Sequence, residues 1–384
     1  MDLTFTKFYL RATVTVALLF SIISAIPNQR GEFQSRYLWV VRNSMTTKAD
    51  IDNMIEFATL NRFNNLLVQV RGRGDAYYES NLVPKSNLIK NVDFDPLAYI
   101  IPLAKEKGIR VHAWVNTYLL WSSRVMPVQK NHILKTNPEW MDQNTKKKIN
   151  ISIEMKKFNG GKNGIEGFYM APNHPKVNSY LLTIFNDLIQ NYDLDGLHLD
   201  YVRFHDSDYG QNPVALSNFQ KEFGIPDLNS FNASQSSKWN DYRRKAVTDL
   251  VRETKNLIQS VKPNISLTAA VKPNLYQARE RFFQEWDVWL AAGYLDKAIV
   301  MNYTKDLKDF AANIDIMYDN LPSKYRKKIV MGIATYNQSP KYVIDKIKYT
   351  RVTRFNAVSF FSYTVMQKDP LYFKSIKSAL YPRN

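Results

Sequence analysis

From Arg36 onward, short apolar runs alternate with stretches in which apolar residues recur every three or four positions. The first spacing is that of a strand, the second that of a helix packed along one side. "YLWVVR" (Tyr37 to Arg42), "NNLLVQVR" (Asn64 to Arg71) and "IRVHAWVN" (Ile109 to Asn116) are predicted strands one to three. "TKADIDNMIEFATLNRF" is a predicted helix with Ile51, Met54, Ile55 and Ala58 on one stripe. "DPLAYIIPLAKEKG" is another: Asp95 caps it, Pro96 takes its first position and Gly108 stops it. The helical "PKVNSYLLTIFNDLIQNY" leads into strand four, "DGLHLDYVRF", which starts at Asp195. A long helix is expected from about Ser236 to Val261. "NISLTAAVKP", "DKAIVMNYT", "KIVMGIATYN" and "FNAVSFFSY" are strands five to eight. "RERFFQEWDVWLAAG" is expected as one helix, and "LYFKSIKSAL" lies in the last.

Repeated strand–helix units imply parallel strands, because parallel neighbours are joined only by a crossover. Eight such units predict an α/β protein, a closed (β/α)8 TIM barrel forming a single domain over residues 30–384. An open doubly wound sheet is the alternative, but no Gly-x-Gly-x-x-Gly or phosphate loop follows the first strand. Long insertions follow strands three and four. The first contains "NTKKKINISIEMKKFNGGKNGIEG", an expected exposed hairpin or flap; the second contains "HDSDYGQNPVALSNFQKEFGIPDLNSFNAS". Loops after strands build the active face of such a barrel.

Strand four raises the question of chemistry. Leu197, Leu199 and Tyr201 alternate to one side, while Gly196, His198 and Asp200 face the other. A carboxylate on the inward face of a central strand must be paired or functional, so Asp200 is the leading catalytic candidate. His198 reads better as a supporting or satisfied core histidine than as a base. The other strand ends offer Arg42, Gln69, Arg71 and Arg73, Trp114 and Asn116, then Arg203, Lys272, Asn302, Tyr303, Tyr336 and Tyr363. Aromatic faces stack on sugar C–H surfaces, and amides, arginines and carboxylates bond sugar hydroxyls. The same residues have plainer readings: Trp114 and Tyr303 as rim core, and Arg71 and Arg73 as partners of internal acids.

Composition narrows the classes. Hydrophobic residues make up 45%, which supports a large core. The absence of cysteine excludes disulfide scaffolds, thiolate metal sites and cysteine nucleophiles. The five histidines lack zinc-type spacing, and no metal or organic cofactor is implied. Lys7 and Arg11 precede an apolar run from Ala12 to Ala25, which predicts an export signal over residues 1–25, cleaved near Ala25; an uncleaved anchor is the alternative. A net charge of +17 permits nucleic acid or anionic polymers as partners. No zinc-finger or aromatic RNA-binding motif accompanies the basic runs, so nucleic acid is not expected. The expected protein is an exported, periplasmic or secreted monomer with a glycan as its partner.

Several blocks together resemble one family. "QVRGRGDAYYES", "GIRVHAWVNTY", "NPEWM", "GFYMAPNHPKVNSYLL", "YDLDGLHLDYVRF", "VMNYT" and "FNAVSFFSY" look like the glycosyl-hydrolase-like family 10 proteins, exported bacterial (β/α)8 barrels. The likeness runs from about Arg36 to the C-terminus. It implies glycoside hydrolysis, with bacterial cell-wall glycan as the substrate class. It makes Asp200 the catalytic candidate and Gln69, Arg71 and Asp75 the matching pocket residues. Chitinases of the acetamide-assisted type read Asp-Gly-x-Asp-x-Asp-x-Glu along such a strand; here Val202 stands where their acid would be, so that mechanism does not carry over. Hydrolysis normally needs a second carboxyl. Asp75 or Glu79 after strand two, and Asp206 or Asp208 after strand four, are the choices. A catalytically inactive, sugar-binding barrel is the alternative function.

Overall fold

The computed structural model describes residues 31–145, 166–225 and 231–382. Eight strands close into a barrel: β1 (Ser35–Val40), β2 (Asn65–Arg71), β3 (Arg110–Asn116), β4 (Gly196–Asp200), β5 (Ser266–Val271), β6 (Lys297–Met301), β7 (Ile329–Ala334) and β8 (Ala357–Phe361). All neighbouring pairs are parallel, and β1 meets both β2 and β8, which completes the ring. The expected (β/α)8 barrel is the fold, with long insertions after β3 and β4.

The alternation along each strand separates two cores. Leu197 and Leu199 of β4 join the larger apolar cluster under the surrounding helices. Tyr37, Trp39, Leu67, Trp114 and Ile299 form a second cluster inside the barrel. Polar residues within the barrel bond to each other: the His112 ring to Asn65 at 3.0 Å and the His198 ring to Thr268 at 2.8 Å. Gly196 permits this layer, because a Cβ there would overlap His112 Nδ1.

Local sequence explains the helices. Lys48–Leu60 starts with a capping box between Thr47 and Asp50 and buries Ile51, Met54, Ile55 and Ala58. Fully burying each larger apolar side chain contributes about 1.5–3 kcal/mol. Pro96–Glu106 is capped by Asp95, which accepts the Ala98 N–H. The expected helix over 279–293 is instead two, Leu275–Phe282 and Trp286–Ala291. Phe283 turns the chain with φ 54°, and Gln284 reaches back to accept the Lys272 N–H and donate to Ala270 O. Those tertiary bonds at the end of β5 override the local helical pattern.

Of the first insertion, Leu119–Trp121 pairs antiparallel with Phe168–Tyr169. The hairpin or flap expected between them falls largely on 146–165, outside the described residues, as does the export signal. The second insertion contains a helix, Pro213–Phe223, capped by Asn212 and ended at Gly224.

Candidate active site

The C-terminal ends of the strands surround a cleft of about 670 Å³. Trp39, Trp114, Tyr303, Tyr336 and Phe361 give it aromatic walls, and Arg42, Gln69, Asn116, Arg203 and Lys272 line it with polar groups. Trp39 and Trp114 meet edge to face at 4.7 Å, while Tyr336 is 57% exposed and offers an open face. Gln69 Nε2 donates to Asn116 Oδ1 (3.2 Å), Asn116 Nδ2 donates to Gly72 O (2.8 Å), and Arg42 Nη1 donates to Gln69 Oε1 (2.9 Å). One chain of hydrogen bonds thus joins the ends of β1, β2 and β3.

Among the described residues, Asp200 and Glu166 are the carboxylic side chains on the cleft lining. Asp200 ends β4. Its Oδ1 accepts the Tyr201 N–H at 2.7 Å, and Tyr201 itself has φ 52°, in the left-handed region that favours glycine. Burial pushes the Asp200 carboxyl up to about 6, a rise opposed by the Tyr201 N–H and the Arg203 charge and reinforced by Glu166. The Trp114 indole N–H forms no hydrogen bond, yet lies close enough to the carboxyl to oppose part of the rise. Glu166 sits in the opposite regime. Burial disfavours its charge, but Arg203 and the Tyr169 hydroxyl outweigh burial and hold the carboxyl at about 2. Arg203 Nη2 donates to both Glu166 oxygens, at 3.0 and 2.8 Å. Arg203 is itself only 2% exposed and packs against the Tyr201 and Phe282 rings. Lys272 lies in the same field. Burial and Arg203 lower its ammonium to about 8, against the pull of Glu166 and Asp200.

A family model for glycosyl hydrolase-like 10 proteins matches residues 34–350. The chain belongs to that family. Glycosyl hydrolase DigH of Escherichia coli (strain K12) is 24% identical over 317 residues, 77% of this chain and 67% of DigH. The glycoside hydrolase domain of PgaB (BpsB) from Bordetella bronchiseptica superposes with a TM-score of 0.69 at 12% identity, covering 91% of this chain and 99% of that one. α-L-Fucosidase isoenzyme 2 from Paenibacillus thiaminolyticus gives 0.63 at 14% identity, over 91% and 49%. The two solved structures share the barrel with this glycosyl hydrolase-like 10 chain.

The barrel brings together Gln69, Trp114, Asn116, Asp200, Arg203, Lys272 and Tyr303 from the sequence-derived set. Others stand off the lining. Arg71 is fully buried behind it, with Nη1 donating to Asn116 O. Arg73 reaches the rim through Ser122, to which its Nε donates. His198 lies beneath the cleft, bonded to Thr268 and edge-on to Trp39; burial keeps it neutral. Asn302 is turned into the wall, where its amide donates to Phe310 O and accepts from Asn313. Asp75 accepts the Arg73 N–H and is 6% exposed, away from the lining. Glu79 pairs with Lys85, and Asp206 with Arg281. Trp121 is buried and donates to Val125 O.

Glu166 was absent from that set. It enters because Phe168–Tyr169 pairs with Leu119–Trp121 beside β3. Gly167 allows the approach: its φ is 148°, and a Cβ there would overlap Trp121 O. The signal in the sequence is the acid directly before "GFYM", a short apolar run flanked by glycine.

Proposed function

We propose that this chain is an exported glycoside hydrolase acting on an extended glycan of the bacterial envelope, with Asp200 as proton donor and Glu166 as its ionised partner. One observation carries the reading: a single sugar-sized cleft holds two carboxyls driven apart in acidity, one toward the neutral form and one held as an anion. Divergent acidity of this kind is how a site divides acid from base or nucleophile. Asp200 gives its proton to the glycosidic oxygen as the C–O bond breaks. Glu166 carries the negative charge that steadies the developing oxocarbenium ion; water then adds to the anomeric carbon and its proton returns to the Asp200 carboxylate, restoring the acid. Asp75, off the lining, is replaced by Glu166 in the second role.

The family and the chain's own charge support this substrate. A DigH-like glycosyl hydrolase with a net charge of +17 suits an anionic envelope polymer. The export signal expected over residues 1–25 would carry it there, and Ser122 and Glu166 of the first insertion and Arg203 of the second line the cleft. Intact sacculi, peptide-free glycan strands and neutral plant polysaccharides, incubated with the protein and resolved by mass spectrometry, separate the readings. Short amino-sugar oligomers released from a bacterial substrate are the expected result. Cleavage confined to plant polysaccharide overturns the substrate. Binding without cleavage in every case establishes the sugar-binding alternative.

A further inference from the structure

The cleft carries more positive charge than its own carboxyls use. Of its three lining cations, Arg203 is committed to Glu166. Lys272 has no carboxylate partner among the described residues; its Nζ stands 4.4 Å from the Phe282 ring centroid. The nearby Asp206 is taken by Arg281. The Lys272 backbone is fixed on both sides, its N–H donating to Gln284 and its C=O accepting from Trp286 Nε1. Across the mouth, four strands away in the ring, Arg42 is held by the Gln69 amide oxygen and likewise pairs with no carboxylate among the described residues. A half-buried cation loses hydration, and only an anionic partner fully restores it. A neutral sugar leaves both cations uncompensated.

We propose that Lys272 binds a carboxylate borne by the sugar unit seated beside Asp200, so that the cleft selects an acidic glycan. Lys272 directly follows β5, the strand adjacent to β4, which places it on the Asp200 side of the cleft. The ammonium remains charged at neutral pH, although burial and Arg203 lower it to about 8. Arg42 extends the positive field to the opposite side. The inference rests on the glycosidase reading only in taking the ligand to be a sugar.

The probe is a peptide-free bacterial glycan-strand tetrasaccharide with its lactyl carboxylates free, set against the same compound with those groups reduced to alcohols. Both are titrated calorimetrically into the Asp200→Asn variant, which suppresses turnover, and into the same variant carrying Lys272→Met. A charge-assisted contact predicts at least about tenfold tighter binding of the acidic form to the first protein. It predicts a preference within about twofold in the second. Lys272→Arg should keep the preference, and Lys272→Gln, which also removes the charge, takes the place of Lys272→Met if that protein does not fold. Equal binding of the two sugars to the first protein overturns the inference and leaves the glycan reading intact. An undiminished preference in the Lys272→Met protein also overturns it. Failure of both sugars to bind overturns the glycan reading together with this one.

Discussion

Asp200 and Glu166 make opposite predictions because their environments move them in opposite directions. The folded Asp200 carboxyl, at about 6, lies above its ordinary value. Its contribution to stability is fully present below that ordinary value and is lost as pH rises through about 6. Asp200→Asn should therefore raise the melting temperature at pH 8, corresponding to about 1–3 kcal/mol, and bring no such gain near pH 4. A melting series across that range checks both ends. Glu166, held at about 2, contributes stability above its ordinary value that is lost as pH falls toward 2. Glu166→Gln leaves the buried Arg203 without its anion and should cost about 1–3 kcal/mol at neutral pH. The gap to wild type should close on acidification; urea unfolding at pH 7 and pH 3 measures it.

At the scale of elements, the strands were legible because a barrel strand is short, apolar and followed by a helix, a pattern that survives any tertiary detail. The inward polar face of β4 was legible for the same reason, since period-two alternation assigns Gly196, His198 and Asp200 to one side. Gly196→Ala tests that reading: the added methyl overlaps the His112 ring and should cost about 1–3 kcal/mol or more, or prevent folding, by thermal unfolding. What a polar strand-end residue faces was not legible. Asn302 and Tyr303 are sequence neighbours, yet one serves the wall and the other the cleft. The break at Phe283 has no glycine or proline to announce it. Glu166 depends on a strand pair that bridges 47 positions of chain, Trp121 to Phe168, and no local pattern encodes that. The insertions are also tied to each other. Asp142 Oδ1 accepts the Gly210 N–H at 3.0 Å, and burial pushes this carboxyl up to about 8. Its contribution is present at low pH and lost as pH rises through about 8. Asp142→Asn should flatten the fall in melting temperature between about pH 4 and 8.

For the molecule as a whole, the closed ring sets strand ends side by side, so residues far apart in sequence share one cleft. That geometry converts a family likeness into a chemical claim about Asp200 and Glu166. The claim is tested most directly by the rate of new reducing ends formed from whichever glycan the protein cleaves, measured from pH 4 to 9 for wild type and Asp200→Asn. A proton donor at about 6 must be protonated to act, so wild-type kcat should decline as pH rises past about 6. The variant should turn over at least about 100-fold more slowly at the wild-type optimum. Turnover by Asp200→Asn within a few-fold of wild type, with a wild-type rate level through pH 6, would contradict the account.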